Sequence, residues 1–203
     1  MMKRVLLLLI TLLMALPATN GLSAPKTNEA NTLARRGTEA AHNRQWDEAI
    51  DDLRKATEMD RKYGPSLVAA LLGRAATYAS QQQFQQAAAD YDEVLKLDSK
   101  NTTAIEGRGS MALKLNDQDK ALAMYKEASK IDPKEIRYLQ YSAYIYEVKG
   151  DLKNSMAEND KVLKLQPSNP DAIARKQRLE TRLAQEASGA APAPAQSAPQ
   201  GKP

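Results

Sequence analysis

Four similar phrases recur along the chain at almost regular intervals. They are DEAIDDLRKATEMDR from Asp47, QQAAADYDEVLKLDS from Gln85, DKALAMYKEASKIDP from Asp119 and KNSMAENDKVLKLQP from Lys153. When the phrases are aligned on one small residue each, the separations are 38, 34 and 34 residues, at Ala49, Ala87, Ala121 and Ser155. A fixed period of this length predicts an array of repeated units in which each unit packs against its neighbours.

A second series of small residues lies upstream in each unit, with the same separations: Gly37, Ala75, Gly109 and Ala143. Two small residues at fixed places on consecutive helices predict that the helices cross at close range. Large apolar residues open the first helix at Leu33, Leu71, Ile105 and Leu139, and close the second at Met59, Leu97, Ile131 and Leu165. Each of the latter directly precedes Asp60, Asp98, Asp132 or Gln166. Each unit is therefore predicted to be a helix, a short turn and a second helix.

This pattern resembles the tetratricopeptide repeat (TPR) over roughly Ala30 to Pro167. The whole chain resembles an exported, bacterial member of that family. The resemblance implies an all-α, right-handed α-solenoid of about four helix-turn-helix repeats plus a C-terminal capping helix. The first unit is four residues longer than the others around RKYGP, which predicts a longer loop before the second unit. In the fourth unit Asn159 and Ser155 replace more apolar or smaller residues, which predicts looser packing there.

The ends of the chain differ in composition from the array. An apolar run of twelve residues, from Val5 to Leu16, follows Lys3 and Arg4 and is too short to span a bilayer. Residues 1–24 are thus predicted to be a secretory signal peptide, cleaved after Ala18 or Ala24, and the protein is expected to be periplasmic or secreted, with no membrane insertion after cleavage. Residues 25–187 are predicted to be the TPR array with its cap, and 188–203 a disordered Ala/Pro-rich tail.

The predicted capping helix begins near Asn169. Its apolar stripe is formed by Ala172, Ile173, Lys176, Leu179 and Leu183, where the lysine contributes its stem. Because a terminal repeat has one uncovered face, such a helix is expected to complete the core.

Charge and reactive side chains exclude several classes of function. The formal net charge of +4 includes Lys3 and Arg4 in the predicted signal, and the remaining basic residues alternate with acids, so nucleic acid is not an expected partner. There is no cysteine, the single histidine is His42, and no glycine-rich phosphate loop is present. We therefore predict a non-enzymatic protein with no cofactor and no metal site.

Two further series have a structural and a functional interpretation. Trp46, Phe84 and Leu152 recur just before the second helix, and their fixed spacing favours core packing over a binding platform. Arg36, Arg74 and Arg108 recur in the first helix, where they could form an anion-binding ladder. Pairing with acids such as Asp52 and Asp90 is the favoured interpretation.

In proteins resembling this chain, the first helices line a concave groove that holds a peptide or a helix. The resemblance places in the groove Ala34, Thr38 and Ala41, then Ala69, Leu72, Ala76 and Ala79, then Glu106, Ser110 and Leu113, and finally Arg137, Gln140, Tyr144 and Glu147. Family members that grip the tails of cytosolic chaperones have lysine and asparagine at these places. This chain has mostly small, apolar or acidic residues there, so that class of ligand is not expected. The predicted function is a protein-protein interaction adaptor of the bacterial cell envelope. The alternative is a self-associating structural subunit of an envelope assembly, as a homo-oligomer.

Overall fold

The computed structural model describes residues 24–189, and within them the chain forms nine α-helices and one 3₁₀ turn. The helices are α1 Ala24–His42, α2 Trp46–Met59, α3 Gly64–Ser80, α4 Phe84–Leu97, α5 Thr102–Lys114, α6 Gln118–Ile131, α7 Ile136–Val148, α8 Leu152–Leu165 and α9 Pro170–Ser188, with the 3₁₀ turn at Arg61–Tyr63. The predicted all-α helical repeat is confirmed. The predicted signal, up to residue 23, and the predicted tail, from residue 190, lie outside the described residues.

Helices pair in chain order, so that α1 packs on α2, α3 on α4, α5 on α6 and α7 on α8, and each pair contacts the next. The second helix of every unit ends at the predicted apolar residue: Met59, Leu97, Ile131 and Leu165. No helix in residues 24–189 combines the length and the apolar character needed to cross a membrane.

The recurrent small residues lie where the two helices of a unit cross. Gly37 is buried against α2, and a Cβ added to it would lie 2.8 Å from Leu53 Cγ and 3.0 Å from the Ala49 carbonyl oxygen. In the third unit Ala121 has no exposed surface, and a Cβ on Gly109 would lie 3.2 Å from the Tyr125 ring. The crossings are therefore as close as the paired small residues predict.

The turn inside each unit has the same backbone in all four units. Its middle residue has a positive φ, of 58° at Arg44, 60° at Gln82, 60° at Asn116 and 77° at Gly150. Only the fourth unit uses glycine, the residue that adopts this left-handed conformation without steric cost.

The turn between units explains the recurrent aspartate. Asp60 Oδ1 accepts a hydrogen bond from the Lys62 amide at 3.0 Å, and Asp98 and Asp132 accept in the same way from the amides two residues ahead, at 3.2 and 3.1 Å. A carboxylate that bonds its own backbone two residues on stabilises a tight turn after a helix. The recurrence is thus structural.

The four extra residues of the first unit do not lengthen a loop. All four connections between units contain four residues, including residues 60–63. The insertion instead extends the first helix of the second unit, since α3 has 17 residues whereas α5 and α7 have 13. Pro65 occupies the first turn of α3, where its missing amide proton costs no helical hydrogen bond. The sequence-based expectation of a longer loop was therefore wrong.

The two polar residues of the fourth unit each donate a hydrogen bond across the packing, although Asn159 Oδ1 is buried without a partner within the described residues. Ser155 is fully buried and its hydroxyl donates to the Ala143 carbonyl oxygen at 2.8 Å across the helix crossing. Asn159 is also fully buried, and its amide nitrogen donates to the Ala172 carbonyl oxygen of α9 at 2.8 Å. Burying a polar group is favourable only with such a partner, so Asn159 ties the last repeat to the capping helix.

The capping helix buries a face rotated from the predicted stripe. Ala172 and Leu179 are fully buried as predicted, but Ile173 is 40% exposed. Arg175, which is only 4% exposed, takes the place expected for an apolar residue. The sequence pattern missed it because an arginine on a stripe is normally assigned to solvent.

Replacing Ala121 by leucine should overpack the crossing of α5 and α6, at a cost of about 1–3 kcal/mol in the free energy of unfolding. The matched control is Ala123→Leu on the same helix, where the alanine is exposed and the change should be nearly neutral. Urea unfolding followed by circular dichroism measures both. Equal stability of the two variants would contradict the close crossing.

Candidate functional site

A groove of about 840 Å³ separates α5 from α7, the first helices of units three and four. Its walls are formed by one face of each helix, and its floor by residues of the second helices α4 and α6. The lining includes the tyrosines Tyr91, Tyr125, Tyr138, Tyr141 and Tyr144. The groove runs the length of α7, from Arg137 to Val148.

Two contacts between units place tyrosine rings in the groove. Tyr91 of α4 lies against Gly107 of α5, where any side chain would overlap its ring. Tyr125 of α6 stacks on Tyr141 of α7, with ring centroids 4.5 Å apart and planes inclined by 11°. Burial raises the pKa of the Tyr125 hydroxyl above its ordinary value. The Tyr125 hydroxyl is therefore neutral near pH 7.

Polar groups bridge the two walls at one end of the groove. The Tyr138 hydroxyl donates to Glu106 Oε1 at 2.6 Å, and Arg137 Nη1 donates to Glu106 Oε2 at 3.3 Å. Burial, followed by this hydrogen bond, raises the pKa of Tyr138. The bridge joins α5 to α7. Further along α5, the small side chain of Ser110 leaves the groove unfilled.

Of the fourteen residues that the resemblance places along the groove, the structure brings five into this one: Glu106, Ser110, Leu113, Arg137 and Tyr144. Gln140 is half-buried on α7 and does not line it. Ala69 and Ala76 are exposed on α3, away from the groove, whereas Leu72 packs against the core of the first two units.

Glu147 does not lie in the groove. It is 8% exposed and faces α9, where Arg175, Arg178 and Arg182 surround its carboxylate. The position implied by the repeat pattern was thus wrong for Glu147, because the capping helix covers it.

Two of the three residues predicted in the first unit line a separate concavity of about 580 Å³ between α1 and α3, whereas Ala41 packs against the core. Ala34 and Thr38 line it, together with His42 and Tyr63. His42 is the exposed last residue of α1. Within residues 24–189 no group of three or more histidine, aspartate and glutamate side chains is arranged to hold a metal ion.

Four groove tyrosines were not predicted as site residues: Tyr91, Tyr125, Tyr138 and Tyr141. Tyr91 and Tyr125 occupy a core position of the repeat, so their second role depends on which residue the next unit places opposite them. A signal for the others was present, since Tyr138, Tyr141 and Tyr144 follow one another at intervals of three along α7. Side chains at this spacing share one helix face.

The aromatic series before the second helices packs as predicted, with one difference. Phe84 packs against the core of the first two units and Leu152 is 2% exposed. Trp46 lies against Gly73 in the next unit, and its indole nitrogen donates to the Thr77 hydroxyl at 3.0 Å. Trp46 therefore joins two units.

The arginine series forms ion pairs and not a free anion-binding ladder. Arg36 bonds Asp52 in its own unit, and Arg74 bonds Asp90 at 2.7 and 2.9 Å. In the third unit Met124 occupies the place of the aspartate, and Arg108 bonds Asp92 of the preceding unit at 2.8 Å. Each arginine has an acidic partner, as the favoured interpretation predicted.

A family model described as tetratricopeptide repeat matches residues 35–102 and again residues 72–136, which together cover half of the chain. A curated relative, the probable UDP-N-acetylglucosamine--peptide N-acetylglucosaminyltransferase SPINDLY of Solanum lycopersicum, is 33% identical over 98 residues. That alignment covers 46% of this chain and 10% of the relative, so the chain spans about a tenth of that protein.

Solved structures share the fold at low sequence identity. The TPR domain of P58(IPK) is 21% identical with a TM-score of 0.58, covering 81% of this chain and 49% of that one. MamA is 18% identical with a TM-score of 0.55, covering 80% and 84%. The first TPR of Spaghetti (RPAP3), bound to an HSP90 peptide, is 18% identical with a TM-score of 0.53, covering 58% and 93%.

The pair between Arg36 and the buried Asp52 should make stability depend on acid. The hydrogen bond from Arg36 holds the pKa of Asp52 below its ordinary value. Asp52 therefore stabilises the fold above about pH 4, and its contribution is lost as the pH falls through its lowered pKa. We expect Asp52→Asn to be less stable than wild type at pH 7, and the difference to narrow below about pH 4.

Urea unfolding at pH 7, 4 and 2.5 measures this dependence. The control is Asp51→Asn, which removes the same charge from the exposed carboxylate of the preceding residue. A difference that stayed constant across the three pH values would show that Asp52 does not carry the effect.

Proposed function

Because the chain belongs to the tetratricopeptide repeat family, we propose that it is a non-enzymatic adaptor that binds a segment of another protein in the groove between α5 and α7. The observation that carries this proposal is a groove in which Tyr141 and Tyr144 are partly exposed beside Ser110 and Leu113, above the buried rings of Tyr91, Tyr125 and Tyr138. On α7, Tyr141 and Tyr144 are partly exposed and present an aromatic face to the groove.

The groove favours an extended segment with apolar side chains. From Arg137 to Val148 the wall of α7 is about 17 Å long, which matches about five residues of extended chain. Tyrosine rings offer large apolar contacts with little loss of side-chain entropy, while their hydroxyls can bond a peptide backbone. Glu106 and Arg137 place both signs of charge at one end, so charge alone does not select the segment.

A structural neighbour supports the mode of binding, since the first TPR of Spaghetti (RPAP3) is described in complex with a peptide. The chaperone tail itself is not the segment we propose for this chain. The first-helix positions that hold lysine and asparagine in the chaperone-binding members of the family hold Glu106, Ser110, Leu113, Arg137 and Tyr144 here, while Lys114 and Asn116 lie at and just beyond the end of α5.

We place this adaptor in the bacterial cell envelope, periplasmic or secreted, on the basis of the N-terminal sequence. Lys3 and Arg4 precede the apolar run and small residues follow it, as in a cleaved export signal. The absence of cysteine fits a protein that relies on packing in an oxidising compartment.

The alternative is a self-associating structural subunit. It is favoured by apolar residues that remain exposed at the ends of the second helices, where Met59 is 44%, Leu97 45% and Leu165 43% exposed. Identical units that repeat such a residue could contact a second copy.

The groove is tested by placing a photo-reactive amino acid at Ser110 in intact cells, with Ala123 on the exposed side of α6 as the matched control position. We expect position 110 to capture a segment of a distinct protein that position 123 does not capture. Ser110→Arg, which fills the groove, should weaken binding of that segment at least tenfold, about 1.4 kcal/mol. Ala123→Arg should leave the affinity unchanged.

Helicity and melting temperature verify that both arginine variants fold. Unchanged affinity for Ser110→Arg would move the binding surface elsewhere. Capture of a second copy at position 110, with a mass by light scattering that rises with concentration, would favour the self-associating subunit.

Export is tested by measuring the mass of the protein isolated from its host. We expect the first 18 to 24 residues to be missing from the mature chain. An intact amino terminus would contradict cleavage and would require another explanation for the apolar run.

A further inference from the structure

Three arginines of the capping helix meet one glutamate. Arg175, Arg178 and Arg182 share one face of α9 because they are spaced by three and four residues. Arg175 Nε donates to Glu147 Oε2 at 3.3 Å, whereas Arg178 Nη2 and Arg182 Nη1 approach the same carboxylate at 3.7 and 3.6 Å, beyond hydrogen-bond length. Three positive charges thus converge on a single negative charge.

The cluster has more donors than acceptors. Four buried guanidinium nitrogens of this cluster have no hydrogen-bond partner within the described residues: Arg175 Nη1, Arg178 Nε, Arg182 Nε and Arg182 Nη1; the one other such nitrogen there is Arg108 Nη1. Buried donors are almost always paired, because an unpaired one loses its bonds to water without replacement. An arrangement in which several such donors share one face therefore indicates an acceptor group that the chain itself does not supply.

Arg175 is the most enclosed member of the cluster. It is 4% exposed, and burial lowers the pKa of its guanidinium although Glu147 opposes this effect. Arg178 adds a further positive charge beside it. A second anion would balance the charge that Glu147 leaves uncompensated.

We infer that Arg175, Arg178 and Arg182 form a binding site for a tetrahedral oxyanion of the phosphate type. Guanidinium groups match phosphate oxygens in geometry, and three or four oxygens on one centre can accept from several arginines at once. Gln185 continues the same face one turn further, and its Oε1 is a buried acceptor without a partner within the described residues. Monohydrogen phosphate satisfies both needs, since it has acceptor oxygens and one O–H donor.

This site is separate from the tyrosine groove. It lies between α7 and α9, whereas the groove lies between α5 and α7, and none of its three arginines lines the groove. The inference does not rest on the proposed adaptor function, so either can fail alone.

The first test uses the purified wild-type protein, titrated with inorganic phosphate at constant ionic strength with chloride as the balancing ion. We expect the Nε–Hε nuclear magnetic resonance signals of Arg175, Arg178 and Arg182 to shift and saturate, with no change at Arg36. Phosphate at about ten times its Kd should raise the melting temperature by on the order of 3 °C. The absence of a saturable shift at these arginines would overturn the site. The cluster would then only hold α9 against α7 through Glu147.

Variants provide the second test. Arg178→Gln with Arg182→Gln should weaken phosphate binding at least tenfold. The matched control is Lys176→Gln, which removes one charge from the same helix, where the lysine pairs with Asp160 and not with the cluster; it should change the affinity less than twofold. Equal loss in both would indicate a general charge effect and overturn the site. Should the double variant fail to fold, Arg178→Lys, which keeps the charge but loses the planar donor pair, replaces it.

Two further ligands define the chemistry. Sulfate, which has no O–H donor at neutral pH, should bind more weakly than phosphate if Gln185 accepts from the ligand. Glycerol 3-phosphate, whose phosphate group also lacks an O–H donor at neutral pH, is compared with sulfate: equal or tighter binding supports an open site for a phosphate carried on a larger molecule, and weaker binding a closed site for a free ion.

Discussion

The close crossing of two helices within each unit determines the rest of the structure. It requires a small residue on both helices, and both are buried in every unit, as at Gly37 with Ala49 and at Gly109 with Ala121. Because these crossings use so little side-chain volume, the larger residues are free to fill the space between units. The rigid spacing of the first helices, and with it the groove between α5 and α7, follows from this division.

The sequence predicted the array well because the period records the crossing directly. It predicted the insertion in the first unit incorrectly, because a Gly-Pro pair in a longer segment reads equally as a loop and as the start of a helix. The distinction depends on where the preceding turn ends. Asp60 closes that turn within four residues, as Asp98 and Asp132 do elsewhere, and the remaining residues have no alternative but to extend α3.

The groove was predictable in part. The repeat pattern placed Ser110, Leu113 and Tyr144 correctly, since it defines which face of a first helix is left uncovered by its own second helix. It failed for Glu147 because a helix outside the repeat pattern carries the arginines that cover it. It also passed over Tyr91 and Tyr125, which line the groove from the second helices.

In two of the gaps between units, two residues sixteen positions apart meet, one from a second helix and one from the next first helix. Tyr91 meets Gly107, so a ring lies against bare backbone; Tyr125 meets Tyr141, so two rings stack. At the same spacing Asn159 precedes Arg175, and that gap is polar, with the asparagine bonded to α9 and the arginine to Glu147. One backbone geometry therefore produces an aromatic groove in the middle of the array and a basic cluster at its end.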